Sequence, residues 1–242
     1  MNENLDNNLN LDTENDIKSN QIPKTFRQEL LDFLKDLIVI VGIVLIVRTF
    51  IILPFQISGQ SMYDSYYDKE FIIVDRFSYN FLSEPKRGDV IVFDTHIPGK
   101  EYFIKRIVGL PGETLKIVSG KVYIKTVGSN DFIQLDEKYL SETNYNATYV
   151  RGDASEFLYE VPSGSYFVMG DNRNASTDSR VCFSSCQISG KSNFISKKDI
   201  TGKILVDLGY FNFKAFGYTN PDLGIDTKPK WFSSPSSYEY SK

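Results

Sequence analysis

Hydrophobic and polar residues divide the chain into three kinds of segment. The run 37–55 is almost entirely apolar, whereas the residues before it are acidic and rich in asparagine. After it, short apolar runs alternate with turns of Gly, Pro, Asn and Asp, a pattern typical of antiparallel strands. These runs are 71–74, 90–93, 102–108, 115–118, 122–124, 166–169 and 204–210. The pattern predicts an all-β fold, an antiparallel β-sheet domain preceded by one N-terminal transmembrane helix.

The same pattern predicts four regions along the chain. We expect residues 1–36 to form a disordered acidic tail in the cytoplasm and 37–55 to form a transmembrane anchor. Residues 56–216 are expected to form an extracytoplasmic β-rich domain with an inserted, more polar lobe at about 112–164. Residues 217–242 are rich in Ser, Pro and Tyr and are expected to be an extended tail.

The apolar run 37–55 is long enough to cross a bilayer with modest tilt. Arg48 and Thr49 are its only distinctly polar residues, and the long Arg48 side chain can extend its charge to the interface. The alternative is a buried core helix, because the strictly uncharged part, 37–47, is shorter. We favour the membrane, because an entirely apolar helix surface leaves a soluble domain no polar face to expose.

Basic residues before the apolar run set its expected orientation. Lys24, Arg27 and Lys35 precede it, so the positive-inside rule predicts a cytoplasmic N-terminus and a single-pass protein of the cell membrane. No small-residue cleavage site of the Ala-x-Ala kind follows the run, and we therefore expect it to be retained as an anchor.

Composition excludes several classes of function. Lys and Arg total 27 against 31 Asp and Glu, so a phosphate-binding surface for nucleic acid has little support. The single histidine and two cysteines are too few for a zinc or iron–sulfur centre, which normally takes four ligands. We therefore expect no metal, no cofactor and no nucleic-acid partner. A hydrolase built from this chain must use His96 or work without imidazole.

Three motifs are candidates for chemistry, of which the first carries a possible nucleophile and the second a possible base. Ser61 follows a glycine-containing turn just beyond the apolar run, where its backbone N–H could face an oxyanion and its hydroxyl a substrate. Lys105 shares one face of a predicted strand with Phe103 and Ile107, and burial there would lower its pKa toward that of a general base. The structural alternatives are a serine in an ordinary turn and a lysine at a sheet margin.

The third motif is the polar loop 170–180, which follows an apolar strand. Its Asx, Ser and Arg residues can hydrogen-bond the loop into one shape. Within it Asp178 and Arg180 could pair, and Ser176 could orient another side chain. A well-structured turn without a chemical role is the alternative.

Together and in this order, the motifs resemble those of the bacterial type I signal peptidases, which are membrane-bound serine proteases with a Ser/Lys dyad. The matching stretches are Ser61-Met62, Arg87–Phe93, Lys105–Glu113 and Gly170–Arg180. The resemblance covers about residues 30–208. It implies an endopeptidase, acting without a cofactor, that removes signal peptides from exported preproteins after small residues of the Ala-x-Ala type. Signal peptides and the lipid bilayer are then its expected partners.

The resemblance also implies roles for individual residues. Ser61 is similar to the family's nucleophile and Lys105 to its general base. Ser176 resembles the serine that holds the lysine, and Asp178 with Arg180 resembles the ion pair that stiffens the site.

The resemblance further implies Ile57 and Ile104 as walls of a pocket that accepts alanine. Gly59 takes the position at which some relatives place a serine whose hydroxyl lies in the oxyanion hole. We therefore expect the backbone N–H of Ser61 to supply most of the oxyanion stabilisation, and such a donor is worth about 3 kcal/mol.

Two further stretches depart from the family pattern. Asp64-Ser65 replaces the Pro-Thr that usually follows the nucleophile, which could shift the turn or the substrate-binding edge. Cys182 and Cys186 lie in an unusually long stretch before Gly202-Lys203. In an oxidising exterior they could form a disulfide, and two free thiols are the alternative.

Three rival functions are compatible with parts of the sequence. A membrane-tethered binding module could keep the scaffold without activity, but Ser61, Lys105 and Ser176 are all present. A self-cleaving repressor with a Ser/Lys dyad is disfavoured by the anchor and by the lack of a DNA-binding helix pair. A homologue from the endoplasmic reticulum is disfavoured because the sequon Asn174-Ala175-Ser176 would place a glycan in the site.

Overall fold

The computed structural model describes residues 25–97, 99–152, 154–184, 192–212, 216–220, 223–227 and 229–231. Most of the predicted N-terminal tail, the end of the predicted C-terminal tail and Cys186 lie outside the described residues. One α-helix, α1, spans Phe26–Ile46. The strands are β1 Ile52–Gln56, β2 Phe71–Asp75, β3 Val90–Ile97, β4 Lys100–Gly109, β5 Thr114–Val118, β6 Lys121–Lys125, β7 Ile133–Gln134, β8 Glu156–Glu160, β9 Ser165–Met169, β10 Ile195–Ser196, β11 Ile200–Gly209, β12 Thr219–Asn220, β13 Ile225–Asp226 and β14 Lys230–Trp231.

The strands form two larger antiparallel sheets and one short ribbon. The main sheet has the order β1-β2-β11-β3-β4-β9-β10, and β14 pairs with β11. A second sheet of order β7-β6-β5-β8 makes up the inserted lobe, and β12 pairs with β13. The antiparallel β fold predicted from the sequence is therefore confirmed. All seven predicted apolar runs are strands, and the elements that periodicity missed are mostly short or lie at sheet edges.

Three groups of buried side chains form the core. One joins the lobe to the main sheet, packing Leu115 and Ile124 against Phe167 and Met169. A second lies under the residues that follow β1 and includes Met62, and a third packs around Phe93. The middle of β4 thus runs through well-packed surroundings, which favours a defined position for every side chain on that strand.

The structure corrects the predicted start of the N-terminal helix. Residues 26–36 were expected to be disordered, yet α1 begins at Phe26. The backbone N–H of Thr25 donates to the Gln28 side chain at 3.0 Å, which satisfies one of the N–H groups left free at a helix start. Leu30 and Leu34 continue the apolar spacing into the tail, so the helix extends beyond the uncharged run.

The predicted end of that helix is corrected as well. Helix α1 ends at Ile46, a π-helical turn covers Val47–Ile51, and Ile52–Gln56 pair with β2 as strand β1. Pro54 explains the change, because it lacks an N–H, disfavours helical backbone at the residue before it and is tolerated on an edge strand. Along the described chain, no helix is both long and apolar enough to cross a membrane. The chain divides into two compact units between Val47 and Arg48.

The predicted extended C-terminal tail contains strands in its described part. Lys230 and Trp231 pair with Asp207 and Val206 of β11, and Thr219 and Asn220 pair with Asp226 and Ile225. Strand pairs this short carry little periodicity of their own, so neighbouring β11 decides where β14 forms.

Candidate active site

A closed loop, residues 57–70, joins β1 to β2 and carries Ser61; we call it the nucleophile loop because Ser61 is the expected nucleophile. The backbone N–H of Ile57 donates to the Glu70 carbonyl at 2.8 Å, which ties its two ends together. Gly59 has a φ of 105°, a conformation that favours glycine, and its N–H donates to Asp68 Oδ1 at 2.7 Å. The loop is thus held at its base and near its tip.

The structure brings Ser61 and Lys105 together although 44 positions separate them. Lys105 Nζ lies 2.6 Å from Ser61 Oγ and donates to the Ile104 carbonyl at 2.8 Å. Only 3% of Lys105 is exposed. This burial lowers the pKa of Lys105 to about 8, although the carboxylates of Asp178 and Asp171 act in the opposite direction. A substantial fraction of the amine is therefore neutral near physiological pH.

The backbone of Ser61 offers one unoccupied donor. Its N–H donates to no other group in the described chain, whereas its carbonyl accepts the N–H of Asn172 at 3.1 Å. The N–H of Gly59 is already used by Asp68. Gly59 has no hydroxyl, so it adds no side-chain donor beside Ser61.

The polar loop 170–180 is organised by a buried ion pair. Arg180 contacts Asp178 through two hydrogen bonds of 2.9 Å, and the backbone N–H of Gly170 donates to Asp178 at 3.0 Å. Burial alone would raise the pKa of Asp178, but the charge and hydrogen bonds of Arg180 outweigh it and lower that pKa. Asp178 therefore stays ionised and Arg180 paired, which stiffens the loop.

Gly170 lies where this loop meets the nucleophile loop. A methyl group at Gly170 would collide with the Ser61 carbonyl oxygen and with Ser176 Oγ. Asn172 reinforces the approach, because its side chain donates to the Gln60 carbonyl at 3.0 Å. Only glycine permits the two backbones to lie this close.

Ser176 is half-buried with its Oγ enclosed beside the dyad, and it does not hold the lysine in this structure. The hydrogen bonds of Lys105 go to Ser61 and Ile104, and Ser176 Oγ has no partner of hydrogen-bonding geometry in the described chain. Ser176 nevertheless lies close enough to Asp178 to contribute to the lowering of that carboxyl's pKa.

A groove of about 570 Å³ opens beside the Ser61–Lys105 pair. Both Ile57 and Ile104 line it, together with Phe55, Gln56, Ser58, Gly59, Gln60, Ile72, Val92, Gly99, Tyr102, Phe103, Ala175 and Thr177. The walls next to the dyad are aliphatic, which suits a small apolar side chain.

Comparisons with known proteins identify the family to which the chain is similar. The family model described as "Signal peptidase, peptidase S26" matches residues 30–208. A signal peptidase I from Bacillus amyloliquefaciens is 33% identical over 184 residues, covering 74% of this chain and 94% of its own. Signal peptidase I S from Bacillus subtilis strain 168 is 32% identical over 191 residues, with the same coverage. A crystal structure of a signal peptidase I from Enterococcus faecalis V583 covers 50% of this chain and 97% of its own at 30% identity, with a TM-score of 0.36.

The chain belongs to the type I signal peptidase family. It is a serine protease of the class that removes signal peptides from preproteins. The predicted family and the predicted class of enzyme are confirmed.

Two arginines of this signal peptidase were not recognised as part of the site from sequence. Arg106 is buried and contacts Asp171 at 2.8 and 2.5 Å, and its guanidinium lies 4.2 Å from the centre of the Tyr139 ring. Because side chains alternate along a strand, Arg106 points to the face of β4 opposite to that of Lys105. This alternation was the one sequence signal that Arg106 could be buried and paired with an acid.

Arg173 connects the loop 170–180 to the inserted lobe of the signal peptidase. It contacts both carboxylate oxygens of Glu137 at 3.0 and 2.5 Å, donates to Thr148 and reaches the Gly170 carbonyl at 3.1 Å. Glu137 lies between strands without any motif around it, so no sequence signal identified it as a partner.

Cys182 is disulfide-bonded, while Cys186 lies outside the described residues. His96 lies between the carboxylates of Asp94 and Asp199, at 3.3 and 3.0 Å. Within the described ranges, no group of three or more His, Cys, Asp or Glu residues could hold a metal ion.

Proposed function

We propose that this signal peptidase is a membrane-bound endopeptidase that cleaves exported preproteins after a small residue of the Ala-x-Ala type, with Ser61 as nucleophile and Lys105 as general base. The contact of 2.6 Å between Lys105 Nζ and Ser61 Oγ carries the proposal. A buried amine at hydrogen-bonding distance from a hydroxyl can accept its proton once the amine is neutral.

The chemistry needs two proton transfers in each half of the reaction. Neutral Lys105 takes the proton of Ser61 as Oγ bonds to the scissile carbonyl carbon, and the resulting oxyanion faces the N–H of Ser61. The Lys105 ammonium then protonates the leaving amine as the peptide bond breaks, which leaves an ester on Ser61. Water attacks this ester, its proton passes to Lys105 and then to Ser61 Oγ, and the signal peptide leaves with a new carboxylate.

The loop 170–180 supports the dyad in this proposal. The Asp178 carboxylate opposes the effect of burial on Lys105, so that the pKa of the amine stays at about 8 rather than falling further. Arg180 holds Asp178 in place through its two hydrogen bonds. Ser176 is a supporting group by family resemblance.

Preference for small residues follows from the groove walls. Ile57 is only 5% exposed and Ile104 is partly buried, so the space next to Ser61 is limited by two branched side chains. A small residue fits against such walls without displacing them, whereas a large one would require repacking.

Attachment to a membrane is supported by apolar surface at the N-terminal end. The large apolar residues of α1 are all substantially exposed, from Leu34 at 42% to Phe26 at 81%. In the second compact unit, taken by itself, Phe81 and Leu82 are also exposed, at 67% and 70%. Contact with lipid would remove this surface from water. We propose that the N-terminus is cytoplasmic, because basic residues precede the apolar run.

The deciding experiment uses a preprotein with an Ala-x-Ala cleavage site and sequencing of the new N-terminus. We expect Ser61→Ala and Lys105→Ala to abolish cleavage while circular dichroism shows an unchanged fold. Ser155→Ala and Lys86→Ala change the same residue types at exposed positions and should cleave normally. Substantial cleavage by either dyad variant would refute the assigned roles, and an inactive wild-type chain would favour a binding module.

The location is tested separately. Full-length protein in membrane vesicles should resist extraction at high pH, and protease added outside cells should digest the β-rich domain. Release of the protein at high pH, or protection of that domain in intact cells, would contradict the proposed attachment.

A further inference from the structure

Two buried acids lie under the nucleophile loop, outside the dyad. Glu70 ends that loop and Asp207 lies on β11, and neither side chain is exposed. Glu70 Oε2 accepts the N–H of Tyr67 at 2.6 Å, but Glu70 Oε1 and Asp207 Oδ2 accept no hydrogen bond in the described chain. Buried carboxylates with unsatisfied oxygens are unfavourable unless a cation compensates them.

The compensating cation comes from the part of the chain after residue 208, where the match to the family model ends; we call this part the C-terminal segment. Lys230 of β14 is the cross-strand partner of Asp207, and its Nζ lies 3.6 Å from Asp207 Oδ2. The same Nζ lies 3.5 Å from the Ser65 carbonyl and 5.7 Å from the centre of the Tyr67 ring. One ammonium group therefore lies beside Asp207 of the acidic pair and beside the loop that carries Ser61.

Burial raises the pKa of Glu70 to about 7, with Asp207 adding to this effect and Lys230 and the Tyr67 N–H opposing it. Burial also raises the pKa of Asp207, opposed by the N–H of Gly209 and by Lys230. The groups facing the Glu70 carboxyl are thus Tyr67 from its own loop, Asp207 from β11 and Lys230 from β14. When both Glu70 and Asp207 are ionised, Lys230 is the cation that offsets the second negative charge.

A backbone hydrogen bond joins Glu70 to the segment that carries Ser61. The Glu70 carbonyl accepts the N–H of Ile57, which lies four positions before Ser61 and walls the groove. Asn220 adds a second link from the C-terminal segment, because its side chain donates to the Asp68 carbonyl at 3.2 Å. Asn220 and Lys230 of the C-terminal segment therefore both contact backbone carbonyls of the nucleophile loop.

We propose that Lys230 is a positioning residue: by compensating the Glu70–Asp207 pair and contacting the Ser65 carbonyl, it keeps the nucleophile loop in place over Lys105. The proposal rests on the proposed function of that loop. The role is electrostatic, so it becomes more important as pH rises and Glu70 ionises. A merely structural lysine would show no such dependence.

The first test compares Lys230→Met with wild type over pH 6.5 to 9, using the full chain and one peptide substrate with an Ala-x-Ala site for both proteins. We expect kcat/KM of the variant to stay within about twofold of wild type at pH 6.5 and to fall about tenfold below it at pH 9, because a displaced nucleophile reacts poorly. Lys230→Arg, which keeps the charge, should match wild type throughout. Lys116→Met is the control, since Lys116 also lies over an aromatic ring, 4.4 Å from the centre of Phe132, but in the lobe.

A second variant isolates the charge. We compare kcat/KM of the double variant Glu70→Gln with Lys230→Met against that of Glu70→Gln alone. The ratio of the two should not depend on pH, because a glutamine at this position cannot ionise. If Lys230→Met fails to fold, Lys230→Met with Asp207→Asn carries one buried carboxylate fewer and should match Asp207→Asn within about twofold. A deficit that is equal at every pH, or one that persists in these double variants, would overturn the proposal.

Hydrogen exchange separates this proposal from the function it rests on. In Lys230→Met, the amides of Ile57 and Tyr67 should exchange faster than in wild type at pH 9 and equally at pH 6.5. Unchanged exchange at pH 9 overturns the role of Lys230 whether or not the protein cleaves preproteins. Faster exchange in a chain without dyad-dependent cleavage would support the contact and reject only the proposed function.

Discussion

Protonation of Lys105 offers the strongest test of the dyad, because the structure gives both its direction and its size. Burial lowers the pKa of this amine to about 8, and only the neutral form can accept the Ser61 proton. The neutral fraction is then roughly one tenth at pH 7, one half at pH 8 and nine tenths at pH 9. We therefore expect kcat/KM to rise about tenfold between pH 7 and pH 9 and to approach a plateau above that.

The assay is steady-state cleavage of a fluorogenic peptide with an Ala-x-Ala site, with circular dichroism at each pH to confirm that the fold persists. Glu70, with its pKa raised to about 7 by burial, also titrates in this range and must be distinguished. Warming separates the two groups, because the midpoint of an amine shifts clearly to lower pH while that of a carboxyl hardly moves. A rate that is flat from pH 6 to 9, or a midpoint insensitive to temperature, would refute the neutral-lysine mechanism.

Three further predictions concern the residues around the dyad. Gly170→Ala should lower kcat/KM by about a hundredfold, because the added methyl pushes against the Ser61 carbonyl and Ser176; activity within threefold of wild type would contradict the close approach. Glu137→Gln should lower the free energy of unfolding by about 3 kcal/mol in urea titrations, since it removes the charge that compensates buried Arg173, and a loss no larger than that of an exposed Glu would count against the lobe contact. Ser176→Ala should change the free energy of unfolding by no more than about 1 kcal/mol, because its hydroxyl makes no contact of full hydrogen-bonding geometry and only assists Arg180 in lowering the pKa of Asp178; a clearly larger loss of stability would show that the hydroxyl is fully bonded in solution.

Local sequence was sufficient for the interior strands of the two larger sheets. The alternation around Lys105 placed that residue on an apolar face of a strand, and β4 carries it there. The turn residues separated the strands correctly because Gly and Pro restrict or permit specific backbone conformations. The antiparallel class followed from these short runs, since hairpins need only brief connections.

Local sequence was insufficient where a neighbouring segment decides the conformation. Hydropathy extended the N-terminal helix to residue 55, but pairing with β2 makes Ile52–Gln56 a strand. The segment carrying Lys230 was expected to be an extended tail, and its pairing with β11 makes it part of the sheet. In both cases the partner strand supplies hydrogen bonds that propensity along one segment does not contain.

The sequence by itself determined which residues could do chemistry: a serine beyond an apolar run, a lysine in a strand and a polar loop in family order. Only the tertiary structure decided that Lys105 Nζ lies 2.6 Å from Ser61 Oγ, that Ser176 makes no hydrogen bond to Lys105, that Glu137 pairs with buried Arg173 and that Lys230 lies 3.6 Å from Asp207. The reason is physical. Residue type and spacing fix local backbone preference and the burial of a face, whereas the separation of two side chains, and hence a shifted pKa, depends on packing between segments far apart in the chain.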